Sequence, residues 1–237
     1  MVCWKELIKK IMGTICSTKN ISNKISGANP LRKNTNNYLV SVLTAENTKM
    51  NASPLIKLTD NQKKLIVKTW RTVVNRVDFG QKVFLEIFMF KPNIKRLFGF
   101  QQLNEQQMKN NSRFQTHSTN FSRFLDFIVK SLENDLNRGE SENLFQAVVA
   151  AEAVGAAHIE YIRGFSFDTD YWNYFVEAVV SQLITCTQEE FSSIKKEIVE
   201  CWRLLLNHLV ERMKYSYYKK LQEEYNKLTT SEIPGSL

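Results

Sequence analysis

Phe114-Gln115-Thr116-His117-Ser118-Thr119-Asn120-Phe121-Ser122-Arg123-Phe124-Leu125-Asp126-Phe127-Ile128 is the stretch on which the fold turns. Its apolar residues Phe114, Phe121, Phe124 and Ile128, with His117 counted among them, follow steps of 3, 4, 3 and 4, the repeat of one buried helix face. His117 therefore points inward with the phenylalanines. A second stretch repeats the arrangement: Ala151, Val154, His158 and Tyr161 are spaced by 3, 4 and 3. Gly155, Ala156 and Ala157 thin the helix surface just before that histidine, leaving room for something bulky against it. The chain has only three histidines, so two in this setting point to a shared use.

The flanking sequence reads as helices on both sides. Thr59-Asp60-Asn61-Gln62 is a Thr-x-x-Gln capping box ahead of the stripe Ile66, Trp70, Val73 and Val77. A second helix follows Asp78, carrying Val83, Phe84, Ile87 and Phe88, and ends or bends near Pro92, because a proline disfavours helix at the residue before it. Gly99 marks an irregular corner. The His117 helix runs to about Leu136, where Asn137-Arg138-Gly139 reads as a stop. The His158 helix follows, and Phe165 to Asp170 form a short connector. Trp172, Phe175, Val179 and Leu183 then define another helix, and Ile194, Ile198, Trp202, Leu205, Leu209 and Met213 the last and strongest. No alternating strand-like run competes, so the fold class is all-α.

At 237 residues the chain divides into an extension at 1–57, a helical domain at 58–215, and a C-terminal helix extension and tail at 216–237. The net charge of +8 is lopsided: residues 1–57 carry nine basic groups against Glu6 and Glu46, and the rest of the chain is close to neutral. No basic cluster with groove-reading partners follows residue 57, which argues against nucleic acid as a partner. Cys3, Cys16, Cys186 and Cys201 form no CxxC pair and no finger-like spacing to histidine, which fits a reducing, cytoplasmic setting. Lys9 and Lys10 interrupt the apolar centre that a secretory signal would need.

An imidazole on an apolar face must hydrogen-bond, ligate a metal or line a wet cavity. His208, between Leu205 and Leu209, has no supporting motif and reads as structural. A catalytic zinc would want a third histidine or a carboxylate at matching helical spacing, and neither His117 nor His158 has one. A haem needs less: one proximal imidazole, a flat apolar slot, and optionally a second polar group on the far face.

The ordered set of motifs resembles the globins, over roughly residues 57–215. Gly80-Gln81 with Phe84, then Pro92 and Phe98, is similar to the globin second helix, its terminal proline and the corner phenylalanine on the haem face. Phe114-x-x-His117 resembles the distal helix, and Val154-Gly155-x-x-His158 the proximal one; Trp70 and Trp202 fall where many invertebrate globins place core residues. The resemblance, to intracellular invertebrate and neuroglobin-like members, implies seven to eight helices around a haem b pocket. It implies His158 as the proximal iron ligand, its other ring nitrogen held by a carbonyl or similar acceptor. His117 would face the sixth position, Phe98 would wedge the porphyrin, Phe84 and Phe121 would line the ligand side, and Arg163 is a candidate propionate contact. Phe121 and Phe84 are bulky for that side, which implies a tight pocket. The interval between the histidines is longer than in common oxygen carriers, the excess falling around Asn137 to Asn143.

Two functions follow from the resemblance. In the first, the haem binds a diatomic ligand such as O2, stabilised by a hydrogen bond from neutral His117, for oxygen binding, storage or sensing. In the second, His117 is itself the sixth ligand, and the protein serves electron transfer or redox signalling with a redox partner at a membrane; nitrite or NO chemistry would be a side activity. A third reading is a helical interaction module that has lost its cofactor. The N-terminal arm bears on location. Trp4, Leu7, Ile8, Ile11 and Ile15 with nearby lysines form an amphipathic face, and residues 1–33 are basic enough to contact an anionic membrane surface. Met12-Gly13-Thr14-Ile15-Cys16-Ser17 fits the myristoylation pattern with a palmitoylatable cysteine, provided translation also begins at Met12.

Overall fold

Thr59 closes a reciprocal cap: its hydroxyl oxygen accepts from the Gln62 N–H at 3.2 Å, and Gln62 Oε1 accepts from the Thr59 N–H at 2.9 Å. This cap opens α1 (Asp60–Thr72) in a computed structural model that describes residues 56–139, 144–161, 168–187 and 189–230. After it come α2 (Arg76–Phe90), a 3-10 turn at Pro92–Ile94, the short helices α3 (Lys95–Phe98) and α4 (Glu105–Lys109), and the long α5 (Ser112–Arg138). Then follow α6 (Phe145–Tyr161), α7 (Tyr171–Cys186), a 3-10 turn at Glu189–Ile194 and α8 (Lys195–Thr230). The described residues thus hold eight α-helices and no strand, the all-α class that the periodicity predicts. Readings that fall on residues 1–55, on Phe165 to Phe167 and on Arg163 lie outside the described residues.

Several boundaries differ from the sequence expectation for local reasons. The second helix starts at Arg76, ahead of Asp78, because Asn75 is its cap: the Asn75 side chain accepts from the Asp78 N–H. Asp78 then sits in the first turn, where a negative charge meets the positive helix terminus. The last helix begins at Lys195, after the 3-10 turn that contains Ile194, and continues through Tyr215, Tyr217 and Tyr218 without a break. Gly99 and Gly139 terminate α3 and α5 with φ of 72° and 67°, a left-handed conformation that costs glycine little.

The helices form two intimate pairs bridged by α7. α5 lies across α1 and α2, α6 lies along α8 in the most extensive contact of the fold, and α7 touches both α2 and α8. A tryptophan pair ties α1 to α8: Trp70 and Trp202 stand 6.0 Å apart, and Trp202 Nε1 donates to Thr69 Oγ1 at 2.8 Å. Trp70 Nε1 donates to Asp126 Oδ1 on α5 at 3.2 Å, so both indole N–H groups are satisfied inside the core. Ile66, Leu125, Ile128, Leu132, Val179, Leu183 and Leu205 fill the space between, and burial of each such side chain contributes about 1.5–3 kcal/mol before conformational entropy is counted. Among the described residues no helix is long and apolar enough to cross a membrane.

Candidate cofactor site

Each of the two histidine-bearing helices is seated by a glycine close to its histidine. At Gly80 of α2 a Cβ would collide with the Ser118 carbonyl oxygen and with Ser122 Oγ on α5, so only glycine lets the two backbones meet there. The Ser122 hydroxyl fixes the same crossing by donating to the Arg76 carbonyl at 2.5 Å. His117 is the neighbour of Ser118, and Phe84 lies one turn beyond Gly80. The crossing therefore sets Phe84 on the imidazole of His117, with ring centroids 4.8 Å apart and planes at 65°. Phe98 of α3 meets the same imidazole at 4.9 Å and 70°. Phe121, one turn after His117, is edge-on to Phe84 at 5.6 Å and to Phe175 of α7 at 4.6 Å.

The second glycine is Gly155 on α6, where a Cβ would overlap the backbone of Met213 on α8. The bulky neighbour expected beside Gly155, Ala156 and Ala157 is, at Gly155, the α8 backbone itself. Arg212 of α8 pairs with Glu152 of α6 beside this crossing. One turn after Val154, His158 places Nδ1 2.7 Å from the Val154 carbonyl oxygen. A carbonyl only accepts, so Nδ1 carries the proton and the lone pair resides on Nε2, the tautomer suited to holding a metal. Trp172 at the start of α7 meets the His158 ring edge-on at 5.4 Å and 82°.

Electrostatics keeps both imidazoles neutral. Burial pushes His117 down to about 3, and its interaction with His158 lowers it further within that value. Burial also lowers His158, opposed in part by the hydrogen bond to Val154. Both residues are half-buried, each keeping part of its surface accessible. His117 makes no hydrogen bond to any described residue; its only close ring partners there are Phe84 and Phe98. His208 is buried on α8 with its Nε2 lacking a hydrogen-bond partner; burial lowers its pKa most, and the charges that act on it are those of Arg212 and Glu211.

An imidazole set between Phe84 and Phe98 with no polar partner among the described residues, and a second imidazole protonated at Nδ1, are donors that a flat apolar metal macrocycle would use. Among the described residues no three histidine, cysteine or carboxylate side chains cluster as an all-protein metal site would require. A haem needs one axial imidazole and apolar surroundings, and His158 with the phenylalanines beside His117 are residues that would fit it.

An all-helical domain with an imidazole on each of two successive long helices is an arrangement that helical haem proteins use. The chain belongs to the globin family, whose profile matches residues 81–213, over half of it. It is 25% identical over 175 residues to globin-related protein glb-13 of Caenorhabditis elegans, covering 71% of this chain and 57% of that protein. It is 23% identical over 187 residues to globin-like protein 9 of Caenorhabditis briggsae, covering 77% of this chain and 72% of that one. The fold is also similar to the crystal structure of a hexacoordinated haem protein from an anhydrobiotic tardigrade. That similarity has a TM-score of 0.56 and 20% identity, and covers 68% of this chain and 95% of that one. The family implies a haem cofactor.

The structure brings His117, Phe84, Phe98 and Phe121 together on one side and leaves His158 on α6 with Trp172. Phe98, expected to wedge the porphyrin, sits beside Phe84 on the His117 imidazole. Sequence reasoning did not assign Trp172 and Phe175 to the site. Both appeared only as members of an ordinary core stripe, and nothing in a one-dimensional pattern tells which ring a neighbouring helix presents to a histidine.

Proposed function

We propose that this globin holds haem b through Nε2 of His158 and presents His117 to the opposite face as a displaceable sixth ligand. A diatomic gas then binds in competition with His117, and the resting protein exchanges electrons. The bound haem supplies an iron centre that changes redox state and accepts a diatomic ligand. The chain's own residues do the rest. The Val154 carbonyl holds the His158 proton on Nδ1 and so orients the ring. Phe84 and Phe98 hold the His117 ring edge-on and exclude water from it. His117, neutral at any pH well above about 3, has a ring nitrogen free to coordinate.

The observation that carries this reading is the enclosed His117 with no polar partner among the described residues. An axial bond would give this imidazole the polar partner it lacks among the described residues. An optical spectrum of the ferrous, ligand-free protein tests it: split low-spin bands are expected, and a five-coordinate high-spin spectrum would overturn the sixth-ligand role. In that second case the low pKa of His117 favours a role as a neutral donor of one hydrogen bond to a diatomic ligand on the same face.

A further inference from the structure

Met89 and Phe90 end α2 exposed by 67% and 63%, directly after Ile87 and Phe88, which are buried. Pro92 stops the helix there, and the chain turns through Pro92–Ile94 into α3, with the Ile94 N–H returning to the Lys91 carbonyl at 3.0 Å. Ile94 is the buried pin of this turn. Around it Lys91, Pro92, Asn93 and Arg96 are exposed and Lys95 is half-buried. With Ile94 held inside, Lys91 and Lys95 emerge one turn apart, next to the bare Met89 and Phe90 pair.

The charge of this corner is of one sign. From Ile87 to Asn104 the chain carries three basic residues, Lys91, Lys95 and Arg96, and no acidic one. The acids at its two borders are engaged elsewhere: Glu86 accepts from Gln182 Nε2 at 2.6 Å, and Glu105 pairs with Lys109 at 2.6 Å. A fourth cation arrives from α5, where the Arg113 guanidinium approaches Gly99 at the end of α3. Lys91 rests with Nζ 4.7 Å from the centre of the Tyr174 ring of α7. Exposed lysines elsewhere on α2 and α5 find carboxylates, Lys82 with Asp78 and Lys130 with Asp126. Among the described residues Lys91, Lys95, Arg96 and Arg113 form no ion pair.

We infer that the corner between α2 and α3 docks on an anionic lipid bilayer, with Met89 and Phe90 entering the headgroup layer and Lys91, Lys95 and Arg96 lying against the lipid phosphates. Charge and size choose this occupant. A second copy meeting the first about a twofold axis would set these cations against their own counterparts, and two side chains fall far short of the roughly 800 Å² per partner that a stable protein interface buries. A bilayer makes neither demand, because a small apolar tip suffices when cations beside it gather anionic headgroups. Phe98, two residues beyond Arg96, meets His117 at 4.9 Å, so docking by this corner sets the His117 side of the domain nearest the lipid. The surface belongs to the folded domain, is separate from the basic residues 1–57, and does not depend on the cofactor.

The test uses the full chain with vesicles of phosphatidylcholine, alone or mixed in equal parts with phosphatidylserine, and reads binding by sedimentation. Binding to the mixed vesicles is expected, weakened about tenfold in Met89→Ser/Phe90→Ser and about tenfold in Lys95→Gln/Arg96→Gln. Thermal melts of both variants should match the parent, since none of these side chains is buried. Replacing Lys5, Lys9 and Lys10 by glutamine separates the two basic surfaces: overall binding falls, and the ratio between parent and corner variants stays. In Phe90→Trp the added emission should be quenched by lipid brominated in its acyl chains. Corner variants that bind as tightly as the parent, an added tryptophan that brominated lipid leaves bright, or a loss confined to the cationic variant each overturn the inference. A parent dimer in analytical ultracentrifugation that Met89→Ser/Phe90→Ser converts to monomer also overturns it, by giving the corner to a second copy.

Discussion

His158 donates its Nδ1 proton to the carbonyl oxygen of Val154, one turn earlier on the same helix, across 2.7 Å. In the function proposed above, helix α6 supplies both the iron ligand and the group that orients it. His158→Ala removes the lone pair that this bond directs, so the variant should fold yet lose its pigment on gel filtration, with the Soret band absent from the protein peak. Retention of full absorbance by that variant would contradict the assignment of the proximal side.

On the opposite side, His117→Leu replaces an imidazole wedged between Phe84 and Phe98 with an apolar side chain of lesser reach. The ferrous protein should convert from low spin to high spin and bind carbon monoxide faster, because no internal ligand must leave first. Unchanged spectra and association rates would show that residue 117 never reaches the iron.

The helix crossings give stability predictions of different size. Gly155→Ala drives a methyl group into the Met213 backbone, which cannot rotate away. The expected cost is about 3 kcal/mol, a fall of about 6–12 °C in Tm. Gly139→Ala meets open space and suffers only from its φ of 67°, at about 1 kcal/mol. Thermal melts of the two variants should rank in that order.

Acid should weaken the haem-free chain in a defined window. His117 is held near 3 by burial, whereas an unfolded chain takes up its proton near 6.5. Below the higher value the unfolded state gains protons that the fold refuses, so stability falls as pH drops from about 6.5 toward about 3. Burial lowers His158 in the same direction. Urea midpoints measured between neutral and mildly acid pH should fall, and less steeply in His117→Leu.

The parts of this fold that the sequence discloses are those governed by local rules. Thr59 and Gln62 mark the start of α1 because a cap is made by residues three apart, and the stripe of Phe114, His117, Phe121 and Phe124 discloses α5 because its period survives over many turns. Helices α3 and α4 span four and five residues, too few to display a period, and went unread. The small residue at Gly155 was visible, but not what it touches, because the identity of α8 as its neighbour depends on a crossing between segments about sixty residues apart. The same limit hid Trp172: its contact with His158 arises from the angle between α6 and α7, which no spacing rule encodes.

The two glycine crossings have a mechanical corollary. Gly80 locks the His117 helix to α2, and Gly155 locks the His158 helix to α8, while α5 and α6 touch each other far less. The two imidazoles are thus mounted on separately clasped helix pairs, which α7 and the Trp70–Trp202 contact between α1 and α8 hold together. The Phe121–Phe175 contact adds a seam between the His117 helix and α7, so a shift of one pair against the other would have to pass through that ring contact and the tryptophan pair together.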